Sequence, residues 1–424
     1  MKRLLLLLVL MSWALPLDAQ ENPTAIRAGR LLDVRTGELR SNVTILVRDG
    51  KVVAVGENLR LPSGAQIIDL SQATVLPGLI DSHTHLTGDN RYFGYRGLGI
   101  SQMRQALFGV VGARKVLEAG FTTVRDVGAG GFADIALRDA VNDGDLPGPR
   151  ILASGPSLGI TGGHCDDNLL PVEYDHRARG VADGPWAVRA KVRENIKYGA
   201  DVIKFCATGG VLSKGDEPGA TQYTFEEMHA IVEEAHKLGR KVAAHAHGTE
   251  GINLALRAGV DTIEHGSLID GEGIRLMKER GAYLVPTIYT GEYIVTEGEK
   301  VGIPDYGLRK MRGLMEARER AFRAAFAAGV KVAFGTDSAV FPHGQGGREF
   351  ALMVKLGMTP LQAIQSATLV AAEALGLQNE IGAIEVGKQA DLIAVSGNPL
   401  ENVQALEDVT FVMKGGKVYK NSPL

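Results

Sequence analysis

Short apolar runs alternate with helix-like stretches along most of the chain. In six places a helix-like stretch ends in glycine, and a β-branched apolar run follows that ends in polar or reactive residues. These segments are AGFTTVRDVG, YGADVIKFCATGG, LGRKVAAHAHG, AGVDTIEHGS, RGAYLVPTIYT and AGVKVAFGTDS, with their glycines at Gly120, Gly199, Gly239, Gly259, Gly281 and Gly329. Glycine adopts the left-handed conformation at a helix end at little cost, and short apolar runs are typical of buried parallel strands. The pattern therefore predicts repeated αβ units.

The segments between these runs have helical periodicity. TFEEMHAIVEEAHKLG begins with Thr224 and has Glu227 three residues later, which predicts a capping box. Its predicted apolar face consists of Met228, Ile231, Val232, Ala235 and Leu238. RGLMEARERAFRAAFAAG has a similar pattern, and TPLQAIQSATLVAAEALGL predicts one or two further apolar helices.

Two more strand candidates, TVLPGLIDSHTHL and RILASGPSLGI, bring the strand count to eight. The predicted strands end near His83, Asp126, Ser154, Lys204, His245, Glu264, Thr287 and Thr336. Eight alternating β and α units predict an α/β fold, the (β/α)8 or TIM barrel. An open doubly wound sheet is the alternative, but the first βα turn lacks the phosphate-binding GxGxxG pattern.

The two ends of the chain have a different pattern. Residues 24–76 and 381–424 contain short strand-like runs, with hairpin turns indicated at RDGKV and KGGKV. Since neither piece is a large unit alone, we expect them to pair as one small β-sandwich beside the barrel. The predicted domains are residues 20–77 and 377–424 for the sandwich and residues 78–376 for the barrel.

Residues 1–19 have the layout of a secretory signal peptide. Lys2 and Arg3 precede an apolar stretch from Leu4 to about Leu17, and a polar exit follows near Ala19. A membrane anchor is the alternative, but the stretch is shorter than the ~20 apolar residues that a span requires. We expect cleavage, export to the periplasm or the exterior, and no membrane association of the mature protein.

Composition narrows the function further. The chain has 424 residues, 22% charged and 45% hydrophobic, with a formal net charge of −3, which is typical of a globular protein. The sequence contains no stripe of lysine and arginine residues, so nothing in it points to nucleic-acid binding. The two cysteines, Cys165 and Cys206, allow at most one disulfide, and the sequence alone leaves open whether they pair.

Reactive side chains recur at the predicted strand ends. They are His83, His85, Lys204, His245, His247, His265 and Asp337. In a TIM barrel the strand ends meet the loops that carry function, so these groups should converge at one face. A single histidine of this kind is more often structural than a ligand. Several imidazoles and a carboxylate on one face, however, form the ligand set of Zn²⁺ or a similar ion.

These residues and their surrounding phrases resemble the amidohydrolase superfamily over nearly the whole mature chain. The resemblance includes VLPGLIDSHTHL, the strand-four lysine, GTDS and IGAIEVGKQADLIAVSGNPL. TGGHCDDN, KFCATGGV, AAHAHG, DTIEHGS and PHGQGGREF are similar to the imidazolonepropionase-like subgroup. That subgroup includes Xaa-Pro and Xaa-Arg dipeptidases and ochratoxin-hydrolysing enzymes.

The resemblance implies a homo-oligomeric hydrolase with two divalent metal ions, with Zn²⁺ the expected metal. His83, His85 and Asp337 would hold one ion, and His245 and His265 the other. Lys204, carboxylated by CO₂, would bridge the two ions. Asp337 would also act catalytically, by taking a proton from the attacking water and passing it to the leaving amine.

The resemblance also implies which side chains meet the substrate. His164 would contact the carbonyl or transition-state oxygen and thereby contribute to catalysis. His247 and His343 are further candidates for substrate contact, while Tyr289 and Arg348 are candidates for binding a substrate carboxylate.

The expected reaction is hydrolysis of a linear amide with a free carboxylate, as in dipeptides, N-acyl amino acids or ochratoxin A. The alternatives are a cyclic-amide hydrolase, like imidazolonepropionase, or a deaminase on the same scaffold. A non-catalytic binding protein on a relict barrel is a third possibility, but the full ligand set disfavours it.

Overall fold

A computed structural model describes residues 23–422 of the chain. The predicted signal peptide, residues 1–19, lies outside the described residues. The strands are β1 Thr24–Leu32, β2 Leu39–Arg48, β3 Lys51–Glu57, β4 Gln66–Pro77, β5 Leu79–Thr84, β6 Phe121–Asp126, β7 Arg150–Ala153, β8 Val202–Cys206, β9 Lys241–Ala246, β10 Thr262–His265, β11 Tyr283–Val285, β12 Leu392–Val395, β13 Val409–Lys414 and β14 Lys417–Asn421.

The α-helices lie between the barrel strands and after them. They are α1 Gln102–Glu118, α2 Ala133–Asn142, α3 Pro185–Lys197, α4 Phe225–Lys237, α5 Thr249–Ala258, α6 Gly271–Arg280, α7 Ile288–Val301, α8 Asp305–Ala327, α9 Arg348–Lys355, α10 Pro360–Gln365 and α11 Ala371–Leu375. A π-helical turn at Ser366–Val370 joins α10 to α11. Short 3₁₀ helices lie at Gly94–Gly99, Gly130–Phe132, Val172–Tyr174 and Val403–Glu407.

The terminal segments combine as predicted, and they do so as one continuous sheet. Seven strands lie in the order β14-β13-β12-β4-β1-β2-β3. The join between the two ends is the antiparallel pairing of β4 with β12. Side chains at alternate positions of β2, namely Val43, Ile45 and Val47, are buried in the core of this sheet. The sheet brings both ends of the barrel sequence together.

The barrel is built from β5 to β11 and one irregular segment. β5-β6-β7 and β8-β9-β10-β11 form two parallel sheets, and backbone bonds of Leu158 with β8 link them on one side. On the other side residues 330–337, predicted as the eighth strand, run between β11 and β5. This segment and the residue after it make only isolated bridges, at Val332 and Ser338, and the chain turns into a left-handed conformation at Asp337 between them.

The outer helices follow the predicted pattern closely. Thr224 and Glu227 form the capping box of α4, and Gly259 and Gly281 end their helices with positive φ. The apolar face of α4 is buried apart from Leu238, which is the C-cap residue and 39% exposed. The prediction for Leu238 was wrong because the helix ends one residue earlier, at Lys237.

Cys165 and Cys206 form a disulfide that ties the loop after β7 to the end of β8. This bond answers the question of pairing that the sequence left open. Within residues 23–422, none of the helices combines the length and apolar character that crossing a bilayer requires.

Candidate metal centre

The carboxyl ends of the barrel strands surround a central cavity. Its ionisable lining residues are His83, His85, His164, Lys204, His245, His247, His265, Arg318 and Asp337. An apolar wall of the same cavity consists of Val211, Leu212, Ile294, Met311 and Val340. The structure therefore brings all the residues predicted as metal ligands to one place.

Two overlapping groups of side chains have the spacing of metal ligands. The ligand-type atoms of His83, His265 and Asp337 lie within 4.8 Å of one another. Those of His245, His247 and His265 do the same. His265 is common to both groups, so the two candidate sites adjoin. His247 belongs to the second group together with the predicted ligands His245 and His265. The sequence indicated only a substrate contact for it.

His85 extends the first group. His85 lies one residue beyond the end of β5 and two positions after His83, and both rings line the cavity. The Nε2 atom lies 3.4 Å from Asp337 Oδ1 in His85 and 3.5 Å from the same oxygen in His83. The carboxylate of Asp337 therefore faces the imidazoles of both His83 and His85.

Five histidines of the cavity are each held by one ring nitrogen. The Nδ1 atoms lie 2.7 Å from Glu264 Oε2 for His83, 2.9 Å from the Gly128 carbonyl for His85, 2.7 Å from Ser267 Oγ for His247 and 2.8 Å from Thr287 Oγ1 for His265. His245 is turned the other way, with its Nε2 atom 3.2 Å from the Gly209 carbonyl. Metal-binding histidines characteristically donate their outer N–H in this way, which leaves the other ring nitrogen free to coordinate.

The electrostatics of the cavity favour neutral imidazoles and an ionised carboxylate. Burial lowers the pKa of His85 to about 4 and the pKa of His247 to about 3, and it holds the pKa values of His245 and His265 well below their usual range. Burial alone would raise the pKa of Asp337, but the hydrogen bond and charge of His83, together with His85 and Lys204, outweigh burial and lower this pKa to about 2. Neutral imidazole and carboxylate are the protonation states that ligate Zn²⁺ and related ions, so these residues fit a divalent metal.

The backbone is strained where three of the strands end. His265, Thr287 and Asp337 adopt positive φ angles of 71°, 50° and 61°, which non-glycine residues rarely adopt. Such conformations cost about 1–3 kcal/mol each and cluster at functional sites. At these positions the side chains of His265 and Asp337 line the cavity, as does Thr287, the hydrogen-bond partner of His265.

All the side chains of the candidate metal centre belong to a stretch of the sequence that matches a known protein family. The sequence profile of the amidohydrolase family matches residues 74–419, from the last N-terminal strand to the last C-terminal strand. The chain belongs to the amidohydrolase family. The predicted membership is thereby confirmed, together with the barrel and the metal-dependent hydrolase class.

Known members of the family resemble this amidohydrolase over nearly their full length. Ochratoxinase from Aspergillus niger is 36% identical over 425 residues, which cover 94% of this chain and 86% of that protein. The crystal structure of a Xaa-Pro dipeptidase with methionine bound in its active site is 41% identical. It has a TM-score of 0.89 and covers 94% of this chain and 100% of that one. A prolidase complexed with N-methylphosphonate-L-proline is 35% identical, with a TM-score of 0.88 and coverages of 95% and 100%.

Lys204 lies on β8 of this amidohydrolase, and its side chain lines the central cavity. The residue is buried, with an exposed fraction of 3%. Burial lowers the pKa of its ammonium group to about 8, although the carboxylates of Glu264 and Asp337 act in the opposite direction. The neutral amine is therefore more accessible at Lys204 than at an exposed lysine.

His164 lies over the second candidate site. Its ring stacks on that of His245, with ring centroids 4.2 Å apart. Nδ1 lies 2.7 Å from Ser213 Oγ, which donates in turn to Asp216 at 2.7 Å, and Lys310 pairs with Asp216 at 2.9 Å. This chain of contacts fixes the ring orientation of His164 at the cavity, where the sequence predicted it.

The structure does not bring His343 or Tyr289 into the cavity. His343 Nε2 lies 3.1 Å from the Gly88 carbonyl, behind the loop that follows β5. Tyr289 is buried against Tyr293 and Phe341, and its hydroxyl group lies 2.9 Å from Arg348 Nη1. Thr287, the N-cap residue of α7, and Thr290 in its first turn line the cavity instead, because successive helical positions face different directions.

Two functional features were missed from the sequence. Glu264 and Arg125 form a buried ion pair of 2.8 Å beneath the cavity, and Glu264 also holds His83. Arg318, on α8, reaches the cavity wall from a helix for which the sequence indicated only an apolar face. The alternation of TIEH offered a clue to Glu264, while the helical pattern around Arg318 gave none.

Proposed function

We propose that this amidohydrolase binds two divalent cations and hydrolyses linear amides whose amino-acid side carries a free carboxylate. The observation that carries the proposal is the set of five histidines, each anchored at one ring nitrogen and open at the other. Anchoring of this kind fixes the ring orientation and raises ligand basicity, and it leaves the other ring nitrogen directed at the cavity.

The first ion would be held by His83, His85 and Asp337, and the second by His245 and His265, with His247 beside the second. Zn²⁺ suits this mixture of imidazole and carboxylate. Bound cations would supply a water of lowered pKa and would polarise the scissile carbonyl.

Lys204 would contribute to both sites as a carbamate. The ammonium group first loses one proton to solvent; the neutral amine then attacks CO₂, a new N–C bond forms as one C=O π bond of CO₂ opens, and a second proton leaves to solvent. The cationic side chain thereby becomes an anion with two oxygen donors. The lowered pKa of Lys204 supports this step, because only the unprotonated amine can react.

Asp337 and His164 would manage protons and charge around the scissile bond. Asp337 stays ionised in its pair of imidazoles, so it can accept a proton and later deliver it to the leaving amine. His164 is held in place by Ser213 and faces the substrate end of the cavity. Its ring is positioned to contact the carbonyl oxygen as charge develops there.

The substrate class rests on the relatives and on the size of the cavity. The names of those relatives point to dipeptides, free amino acids and an ochratoxin. The central cavity, of about 220 Å³, suits one small residue and its amide. A wider groove of about 920 Å³ begins at His85, His164 and Cys165, and would accommodate a larger acyl group.

Export of the protein remains part of the proposal. The disulfide of Cys165 with Cys206 supports it, because such bonds persist in oxidising compartments. N-terminal sequencing of the protein recovered from the periplasm or the medium should find a new terminus near residue 20.

The decisive experiment is amino-acid release by the purified mature protein, loaded with Zn²⁺ and supplied with bicarbonate. The panel comprises dipeptides, N-acyl amino acids and ochratoxin A. We expect release that chelation abolishes and Zn²⁺ restores. His245→Ala should lose metal and activity, whereas His229→Ala, at an exposed position of α4, should retain both. Release of ammonia alone would favour a deaminase, and activity that survives complete metal removal would overturn the proposal.

A further inference from the structure

Arg318 is a buried arginine in the wall of the central cavity. Its side chain extends from α8, and only 5% of the residue is exposed. A glycine in the neighbouring helix makes room for it, since a Cβ atom at Gly291 would lie 2.1 Å from Arg318 Nη1. The fold therefore admits a cation close to the candidate metal centre.

Only part of the hydrogen-bonding capacity of Arg318 is used. A guanidinium group offers five N–H donors in a planar fork. Nη2 donates to the Pro286 carbonyl at 2.9 Å and to the carbonyl and hydroxyl of Thr287. Nη1 reaches only the sulfur of Met311, at 3.8 Å, and Nε has no partner among the described residues. Met311 itself lines the cavity, so Nη1 lies at the cavity wall.

The other fully buried arginine of the barrel shows what a satisfied guanidinium looks like here. Arg125 donates through Nε to the Ser82 carbonyl, through Nη1 to Thr262 and through Nη2 to the Glu264 carboxylate. Among residues 23–422 Arg318 forms no ion pair, and the charges of Glu349 and Asp337 act on it only at longer range. A buried cation without a directly paired counter-charge is costly, and an incoming anion would offset part of that cost.

The nearest acidic side chain is already engaged. Glu349 accepts hydrogen bonds from the backbone N–H groups of Ile288 and Tyr289, at 2.7 Å and 2.6 Å. Both carboxylate oxygens therefore face the start of α7. Nη1 of Arg318, which reaches only the Met311 sulfur, therefore keeps donor capacity for a ligand in the cavity, whereas Nε is buried.

We propose that Arg318 binds the carboxylate of the substrate's C-terminal residue, while the apolar wall of the cavity contacts that residue's side chain. Planar carboxylates match the guanidinium fork, and the apolar wall includes Met311 and Ile294 near the same helices. The inference rests on the proposed amide hydrolysis and adds its specificity: apolar amino acids with a free carboxylate. It assigns to Arg318 the role that the sequence suggested for Arg348, which lies outside the cavity.

A purely structural role is the competing explanation. Arg318 contacts Thr287, and the Thr287 hydroxyl group holds His265. Loss of Arg318 could then weaken metal binding without any effect on substrate choice. The two roles differ in one measurable respect: a brace affects all substrates alike, whereas a carboxylate receptor affects only substrates that carry the carboxylate.

The test compares N-acetyl-L-phenylalanine with N-acetyl-L-phenylalaninamide, which share the scissile acetyl amide. Release of phenylalanine or phenylalaninamide is measured for the wild type, Arg318→Gln, Arg318→Lys and Arg320→Gln. Arg320 lies two residues further along α8 in an exposed ion pair with Glu316, so its variant is the matched control. Metal content is measured for each protein.

We expect the wild type to prefer the acid in kcat/KM by about 10²-fold or more, the scale of a buried charge-assisted pair. Arg318→Gln should bring the ratio close to one, Arg318→Lys should give an intermediate ratio, and Arg320→Gln should leave it unchanged. An equal loss on both substrates, with the ratio intact, would overturn the inference while leaving amide hydrolysis standing.

A binding measurement separates this inference from the proposed function. L-phenylalanine and L-phenylalaninamide are titrated calorimetrically into the Zn²⁺-loaded proteins. Preferential binding of the acid by the wild type, reduced at least about 30-fold in Arg318→Gln, supports the inference even if no tested amide is cleaved. Equal binding of acid and amide by the wild type would overturn it.

Discussion

Glu264 Oε2 lies 2.7 Å from His83 Nδ1, although the two residues belong to the non-adjacent strands β10 and β5. Both side chains are buried. The other oxygen of Glu264 accepts a hydrogen bond from Arg125 at 2.8 Å. Burial alone would raise the pKa of Glu264, but Arg125, His83 and Lys204 together outweigh burial and lower this pKa to about 2. A permanent carboxylate thus orients one ligand of the metal centre from beneath.

Replacement of Glu264 should therefore affect stability and metal binding together. Glu264→Ala leaves Arg125 as an unpaired buried charge, so the free energy of unfolding should fall by about 3–5 kcal/mol. Metal affinity should fall about 10–100-fold, because His83 loses the partner that orients it. Urea unfolding and metal titration measure the two effects. Glu233→Ala, which removes an exposed pair with Arg189, should cost less than about 1 kcal/mol and leave metal affinity unchanged. Unaltered metal affinity in Glu264→Ala would contradict the orienting role.

The disulfide leads to a second prediction. It joins residues separated by 41 positions, and closure of a loop of that size restricts the unfolded chain by about 4 kcal/mol. Reduction by dithiothreitol should lower the free energy of unfolding by up to that amount. It should also raise KM, because Cys165 adjoins His164 at the cavity. The double variant Cys165→Ser/Cys206→Ser should show both changes and no further response to dithiothreitol. A wild type whose stability ignores the reductant would refute the prediction.

The convergence of the proposed metal ligands on one cavity was predictable because each position depends on a local pattern. A strand-end position decides where a side chain points, and His83, Lys204, His245 and Asp337 all occupy such positions. The barrel was predictable for the same reason, since glycine ends and apolar runs repeat along the chain. The irregular eighth segment was not, because its turn at Asp337 follows from closure against β5 and not from its own residues.

The supporting residues were not predictable, because their roles depend on partners far along the chain. Glu264 acquires its meaning from Arg125 and His83, which lie on other strands. Arg318 sits in a helix rich in exposed charges, and only packing against Gly291 shows that it turns inward. Tyr289 illustrates the opposite error: a residue close to a functional turn in sequence faces away from the cavity.

A surface contact gives a test of pH dependence. His236 Nε2, at the end of α4, lies 2.8 Å from Asp261 Oδ2, and this hydrogen bond raises the pKa of His236. Protonated His236 therefore stabilises the fold fully below its unfolded pKa of about 6.5, and the contribution disappears as pH rises through the raised folded value. The stability difference between wild type and His236→Gln should be larger at pH 5.5 than at pH 8.5. Because the histidine is half exposed, that change should stay below about 1 kcal/mol. A stability difference between wild type and His236→Gln that grows with pH would contradict this prediction. His176→Gln, which removes a more exposed pair with Asp167, serves as a comparison.

Lys204 allows the sharpest test of how the two candidate sites are joined. If its amine carries CO₂ as a carbamate, Lys204→Ala removes an anion with two donor oxygens from the centre. Metal content should fall, and kcat/KM should fall by about 10²-fold or more, since even the loss of an outer partner of a ligand costs 10–100-fold. Propionate should restore part of the activity of Lys204→Ala and should not increase the activity of the wild type. Lys197→Ala, at the exposed end of α3, controls for the loss of a lysine. In the wild type, metal uptake after removal of CO₂ should require added bicarbonate, and ¹³C-labelled bicarbonate should give a carbamate resonance that Lys204→Ala lacks. Full metal content and turnover in Lys204→Ala would show that the imidazoles and Asp337 suffice, and the carbamate would have to be abandoned.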